Sequence, residues 1–108
     1  MLDVEVESFE IDHKDLIVNL IITPTKVGEY LKHIINSQYD DVKATNKDFL
    51  SIRFYGRAKD ILNEPIYVSL MPKNSDTIIN NYMDKLEELG ILNFLRENIK
   101  KAEEQLNV

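Results

Sequence analysis

The sequence predicts an α+β fold: a mostly antiparallel four-stranded sheet with three helices packed on one face, in the order β-β-α-β-β-α-α. Three observations carry this. Short segments alternate apolar and polar residues with a period of two; longer segments between and after them place apolar residues three and four apart. The chain has 108 residues, 44% apolar and 30% charged, which suits one compact core and leaves no room for two. Residues 1–108 therefore read as a single domain, with no linker or low-complexity tract dividing them.

Residues 2–11 open with Leu2, Val4 and Val6 alternating against Asp3, Glu5 and Glu7. Phe9 and Ile11 continue on odd positions, so the parity slips, and a bulge near Glu7-Ser8 or an early strand end is expected. Asp12-His13-Lys14-Asp15 reads as a turn. Leu16 to Ile22 is apolar except for Asn19, the pattern of a central strand covered on both faces. Thr23-Pro24 then offers an N-cap followed by a proline at the first helical position. Val27, Tyr30, Leu31, Ile34 and Ile35 form the core-facing stripe of that helix, and Gly28 weakens its first turn by about 1 kcal/mol relative to Ala.

The polar stretch from Asn36 to Asp48 reads as an irregular loop, a candidate functional loop at about a dozen residues. Phe49 to Tyr55 alternates again, with Leu50, Ile52 and Phe54 facing one way and Ser51, Arg53 and Tyr55 the other; Gly56 ends it, and residues 57–64 read as a loop. Ile66, Val68 and Leu70 predict a further strand closed by Pro72. A helix capped by Asn74-Ser75-Asp76 carries Ile78, Ile79, Tyr82, Met83, Leu86 and Leu89 before Gly90 stops it. Residues 91–106 form a last helix along Leu92, Leu95, Ile99, Ala102 and Leu106. The predicted core is Leu16, Val18, Leu20, Ile22, Leu31, Ile34, Ile52, Phe54, Val68, Leu70, Ile79, Met83 and Leu86.

Composition bounds the function. Nineteen acids against thirteen Lys and Arg give a net charge of −6, a field that repels nucleic acid and anionic membrane. Tight binding of duplex DNA is therefore not expected. With no cysteine there are no disulfides, thiolate nucleophiles or Cys-ligated metals. Met1-Leu2-Asp3-Val4-Glu5 lacks the basic start and apolar core of a signal peptide, and no apolar run approaches the ~18–20 residues of a membrane span. The reading is a cytoplasmic protein with no membrane partner. Thirteen Ile, ten Asn and ten Lys against three Ala and three Arg indicate an AT-rich coding sequence, as in low-GC bacteria and their mobile elements, so the compartment is that of a bacterium or an infected bacterial host.

No catalytic, cofactor or metal motif is present. His13 and His33 lack partners at ligand spacing, and the three glycines stand singly, without a phosphate cradle or nucleophile elbow. No cofactor is expected, and the chain reads as a non-enzyme, with a small enzyme of unrecognised site as the remote alternative.

Charge layout says more. Residues 1–15 hold six acids and one Lys, whereas residues 26–59 hold seven bases and four acids. On the first strand Asp3, Glu5 and Glu7 should share a side at ~6.8 Å steps, with Glu10, Asp12 and Asp15 beyond, near the ~7 Å step between phosphates of a nucleic-acid strand. Asp3, Glu5, Glu7, Glu10 and Asp12 are thus the candidate surface for a protein partner with a basic face, as in a phage or mobile-element inhibitor of a host defence or nucleic-acid-handling protein. The plainer reading makes them the wet face of an edge strand.

The positive counterpart is Arg53, Tyr55, Arg57 and Lys59, where bases interleaved with an aromatic suit stacking on single-stranded nucleic acid. They are the candidate face of a nucleic-acid accessory protein. The plainer reading pairs Arg53 and Arg57 across strands with Glu5 and Glu7. A homo-oligomer is left open.

Overall fold

The computed structural model describes residues 2–62 and 83–107. Four strands, β1 (Asp3–Asp12), β2 (Asp15–Thr23), β3 (Val42–Asn46) and β4 (Leu50–Phe54), form one antiparallel sheet in the spatial order β1-β2-β4-β3. The helices are α1 (Thr25–Gln38), the short α2 (Ala58–Leu62) and α3 (Ile91–Leu106); residues 83–88 are also helical and run into α3 through Gly90. Among the described residues the order β-β-α-β-β-α-α is that expected, and the fold is α+β. Because α1 carries the chain across the sheet, β3 runs parallel to β2 with β4 inserted between them.

The parity slip in β1 is a bulge. Val6 pairs with Leu20 and Ser8 with Asn19, leaving Glu7 outside the register, and the strand then continues to Asp12. One residue of slip returns Phe9 and Ile11 to the side of Val4 and Val6, which is why the strand survives it. His13 and Lys14 make a two-residue connection, with His13 at a left-handed φ of 57°.

On one face Leu16, Val18, Leu20 and Ile22 of β2 meet Leu50, Ile52 and Phe54 of β4 and Val42 and Ala44 of β3, all buried. The stripe Val27, Leu31, Ile34 and Ile35 of α1 covers them, with Leu92, Leu95, Ile99 and Ala102 of α3 beside it. Phe94 meets Phe54 and Tyr39 edge-on, with ring centroids 5.4 and 4.8 Å apart. Every predicted core residue that the structure describes lies in this cluster, Met83 at its margin; Val68, Leu70 and Ile79 lie outside the described residues.

Several expectations need correction. The segment read as a loop from Asn36 to Asp48 contains β3, whose Val42 and Ala44 point inward while Lys43 and Thr45 point out; five residues with two small or β-branched apolar positions gave too weak an alternation to register. The segment 57–64 contains α2, whose Ala58 N–H donates to Lys14 O at 2.9 Å and whose Ile61 is buried. Thr23 does not cap α1: it stays in β2 opposite Asp3, and the N-cap position falls to Pro24, which has no side-chain acceptor. β2 is central, but only one of its faces is buried throughout, since Ile21 is 38% exposed. The strand predicted over Ile66–Met71 and most of the following helix lie outside the described residues. Gly90 ends the preceding helical turn at φ 76°, as expected of a C′ glycine.

Candidate protein-binding face

The face of the sheet turned away from α1 and α3 is polar, and register assembles it in rows. Ser8, Asn19, Ser51 and Thr45 stand abreast across the four strands; Glu10, Ile17, Arg53 and Lys43 form the next row; Glu5 lies beside Ile21 and Asp3 beside Thr23. At the closed end of the β1–β2 hairpin, Glu10, Asp12 and Asp15 thus face or flank two cations, Arg53 and Lys43, whereas Asp3 and Glu5 lie at the other end.

Two polar centres tie this face together. The Asn19 amide, 3% exposed, donates to Ser8 Oγ at 2.9 Å and to Glu10 Oε2 at 2.7 Å, and its carbonyl accepts from the Ser51 hydroxyl. Asn19 alone interrupts the apolar run of β2, and that interruption was the one sequence signal for this centre. One row along, the Arg53 guanidinium donates to Asp15 Oδ2 at 2.7 Å and to Asp12 Oδ2 at 3.0 Å, spanning both carboxylates at the hairpin's closed end. The Gly56 N–H donates to the other oxygen of Asp15 at 2.9 Å, which fixes the turn after β4.

These bonds shift the acids in a consistent direction. Asp12 is held below the ordinary 3.8 by its hydrogen bond with His13 and then by Arg53. Asp15 is held below it by the Gly56 N–H and then by Arg53, and the two carboxylates in turn raise Arg53, Asp15 most.

The five acids proposed for a partner therefore separate into two sets. Glu10 and Asp12 are engaged inside the fold. Asp3, Glu5 and Glu7 are exposed, and among the described residues no cation lies within ion-pair distance of them. Their spacing is also altered. Asp3 and Glu5 keep the regular step of a strand, but the bulge takes Glu7 out of the ladder, so the evenly spaced triplet expected from the sequence does not form.

The basic set does not assemble as one face either. Arg53 is bound to Asp12 and Asp15, not to Glu5 or Glu7, because the register sets it opposite Ile17 and Glu10 near the closed end of the hairpin, whereas Glu5 lies beside Ile21 toward the other end. Tyr55 is 45% exposed beside it, the guanidinium 6.0 Å from the ring centre. β4 ends at Phe54, and Gly56 at φ 77° turns the chain, so Arg57 leaves the face and lies 3.9 Å from Asp41 while Lys59 sits exposed on α2.

A hollow of about 320 Å³ between Tyr39, Phe54, Leu89 and Phe94, with Arg57 and Asp41 among its lining residues, sits at the lower end of the size range of ligand sites. Its walls are mainly apolar. Among the described residues no three His, Asp or Glu side chains converge as a metal site, and no helix is long and apolar enough to cross a membrane. No known protein family, curated protein or solved structure matches the chain.

Proposed function

We propose that this chain is a non-enzymatic protein-binding module whose Asp3, Glu5 and Glu7 meet a basic surface of its partner. One observation carries the reading: the fold engages Glu10, Asp12 and Asp15 internally and leaves these three acids exposed without a cation among the described residues. Charges so placed act over distance, steering encounter with a positive surface and rejecting a negative one. Small size, acidity, the absence of cysteine and AT-rich usage support placing it among cytoplasmic inhibitors made by phages or mobile elements against a host defence or nucleic-acid-handling protein.

The alternative, a nucleic-acid accessory protein using Arg53, Tyr55, Arg57 and Lys59, draws less support. Its Arg53 is already bonded to two carboxylates, and Arg57 lies off the face.

The test is the variant Asp3→Asn, Glu5→Gln, Glu7→Gln against the partner recovered by pull-down from a host lysate. Stability should change by no more than about 0.5 kcal/mol per site, because the positions are exposed. Affinity should fall at least about tenfold, and the native association rate should drop steeply with salt. Undiminished affinity of the folded variant would remove the acidic face from consideration; submicromolar duplex binding lost on Arg53→Ala and Arg57→Ala would establish the alternative.

A further inference from the structure

The two edges of the sheet are finished differently. On β3, the Asn36 side chain of α1 lies alongside Ala44 as a strand would: its Nδ2 donates to Ala44 O at 2.9 Å and its Oδ1 accepts from Ala44 N–H at 2.8 Å. That edge is closed at its middle.

The same contact fixes which way the backbone of every strand faces. In antiparallel pairs, facing residues alternate between exchanging both hydrogen bonds and exchanging none. Ala44 gives both groups to Asn36, so its pair with Ile52 is unbonded, and Ile52 must turn its N–H and C=O toward Val18 of β2. Val18, and by alternation Leu20 and Ile22, then face β4 and not β1. Their partners Val6 and Val4 accordingly turn their N–H and C=O outward, away from β2, on the edge of the sheet. Among the described residues nothing pairs with that edge at Val4 or Val6, and the Val4 side chain is 39% exposed.

We propose that the segment Asp3–Glu7 of β1 receives an extended segment of the partner as a fifth strand, one that alternates basic and apolar residues. This rests on the reading of the acidic face above and specifies its geometry. Main-chain bonds would form to Val4 and Val6, the apolar side chains would lie beside those two valines, and the basic ones beside Asp3 and Glu5 on the opposite face. A second copy of this chain is the wrong occupant, since two such edges would set acid against acid.

The probes are two capped hexapeptides of equal charge, one alternating lysine with valine and one lysine with proline, which lacks half the donors and cannot continue a ladder. The native chain should bind the lysine–valine peptide at least about tenfold more tightly, with slowed exchange of the Val4 and Val6 amide protons. Val4→Pro, a change that an outward-facing edge position tolerates, should erase the difference, while Val4→Thr keeps it. Equal affinity for the two peptides would overturn strand addition and leave docking by charge alone. Binding of neither would also overturn it, the acidic face then being judged by its own partner experiment. If Val4→Pro does not fold, the comparison of peptides on the native chain decides.

Discussion

Asn19 and Arg53 show how single polar side chains organise a face that hydrophobic patterning leaves undefined. Asn19 sits at 3% exposure with its amide bonded to Ser8, Glu10 and Ser51, so it is a buried polar group satisfied by three neighbours on the two flanking strands, β1 and β4. Asn19→Ala should lower stability by about 1–3 kcal/mol, because it strands the half-buried hydroxyls of Ser8 and Ser51; chemical denaturation measures this. Arg53 predicts a pH dependence. Asp12 and Asp15 titrate below the ordinary 3.8 in the folded chain, so they stabilise it above roughly that pH and the contribution is lost as pH falls through their lowered values. Arg53→Gln should move the midpoint of acid unfolding upward. The shift is partial, since the His13 bond to Asp12 and the Gly56 N–H bond to Asp15 persist, and carboxyl titration by NMR should show both values rising.

Element by element, local rules worked where the period was clear and failed where a neighbour supplied what the segment lacks. The stripe of α1 and the bulge of β1 were both legible, the one from 3-4 spacing and the other from a parity change in the apolar residues. β3 was not, because its stability comes from pairing with β4 and from the Asn36 clasp, a contact made across the chain from α1. Two glycines separate helix propensity from backbone geometry. A methyl group at Gly28 would meet Ile22 Cβ at 3.7 Å, an ordinary contact, so Gly28→Ala should stabilise by up to about 1 kcal/mol. Gly56 holds φ 77°, so Gly56→Ala should destabilise by about 1 kcal/mol or more even though nothing lies within 4 Å of the added carbon. Thermal unfolding of the two variants should therefore shift in opposite directions.

For the molecule as a whole, the sheet order decides which charges meet. Placing β4 between β2 and β3 delivers Arg53 to the hairpin end of β1 and β2, where Asp12 and Asp15 wait, and leaves the other end of β1 without a cation among the described residues. The same order makes Phe54 the meeting point of sheet and α3, at 2% exposure and edge-on to Phe94. Phe54→Ala should cost about 3–5 kcal/mol, a large part of the ~5–15 kcal/mol typical of such a domain, read as a lowered denaturant midpoint. An unchanged midpoint would mean that α3 does not close the core in solution.

The amino-acid order alone determined the α+β class, the hairpin with its bulge, the inward faces of β2, β4, α1 and α3, and the excess of acid at the start of the chain. Each of these is a short-range property: side-chain parity and helical period follow from backbone geometry and need no knowledge of what lies opposite. Which strand neighbours which, and hence that Arg53 binds Asp12 and Asp15 and not Glu5 or Glu7, was decided by tertiary structure. So was the direction of the Val4 and Val6 backbone, which is set by a ladder propagated through four strands from Asn36. A carboxylate on a strand looks the same in sequence whether or not a cation reaches it; only the packing of distant segments distinguishes the bonded acids from the exposed ones.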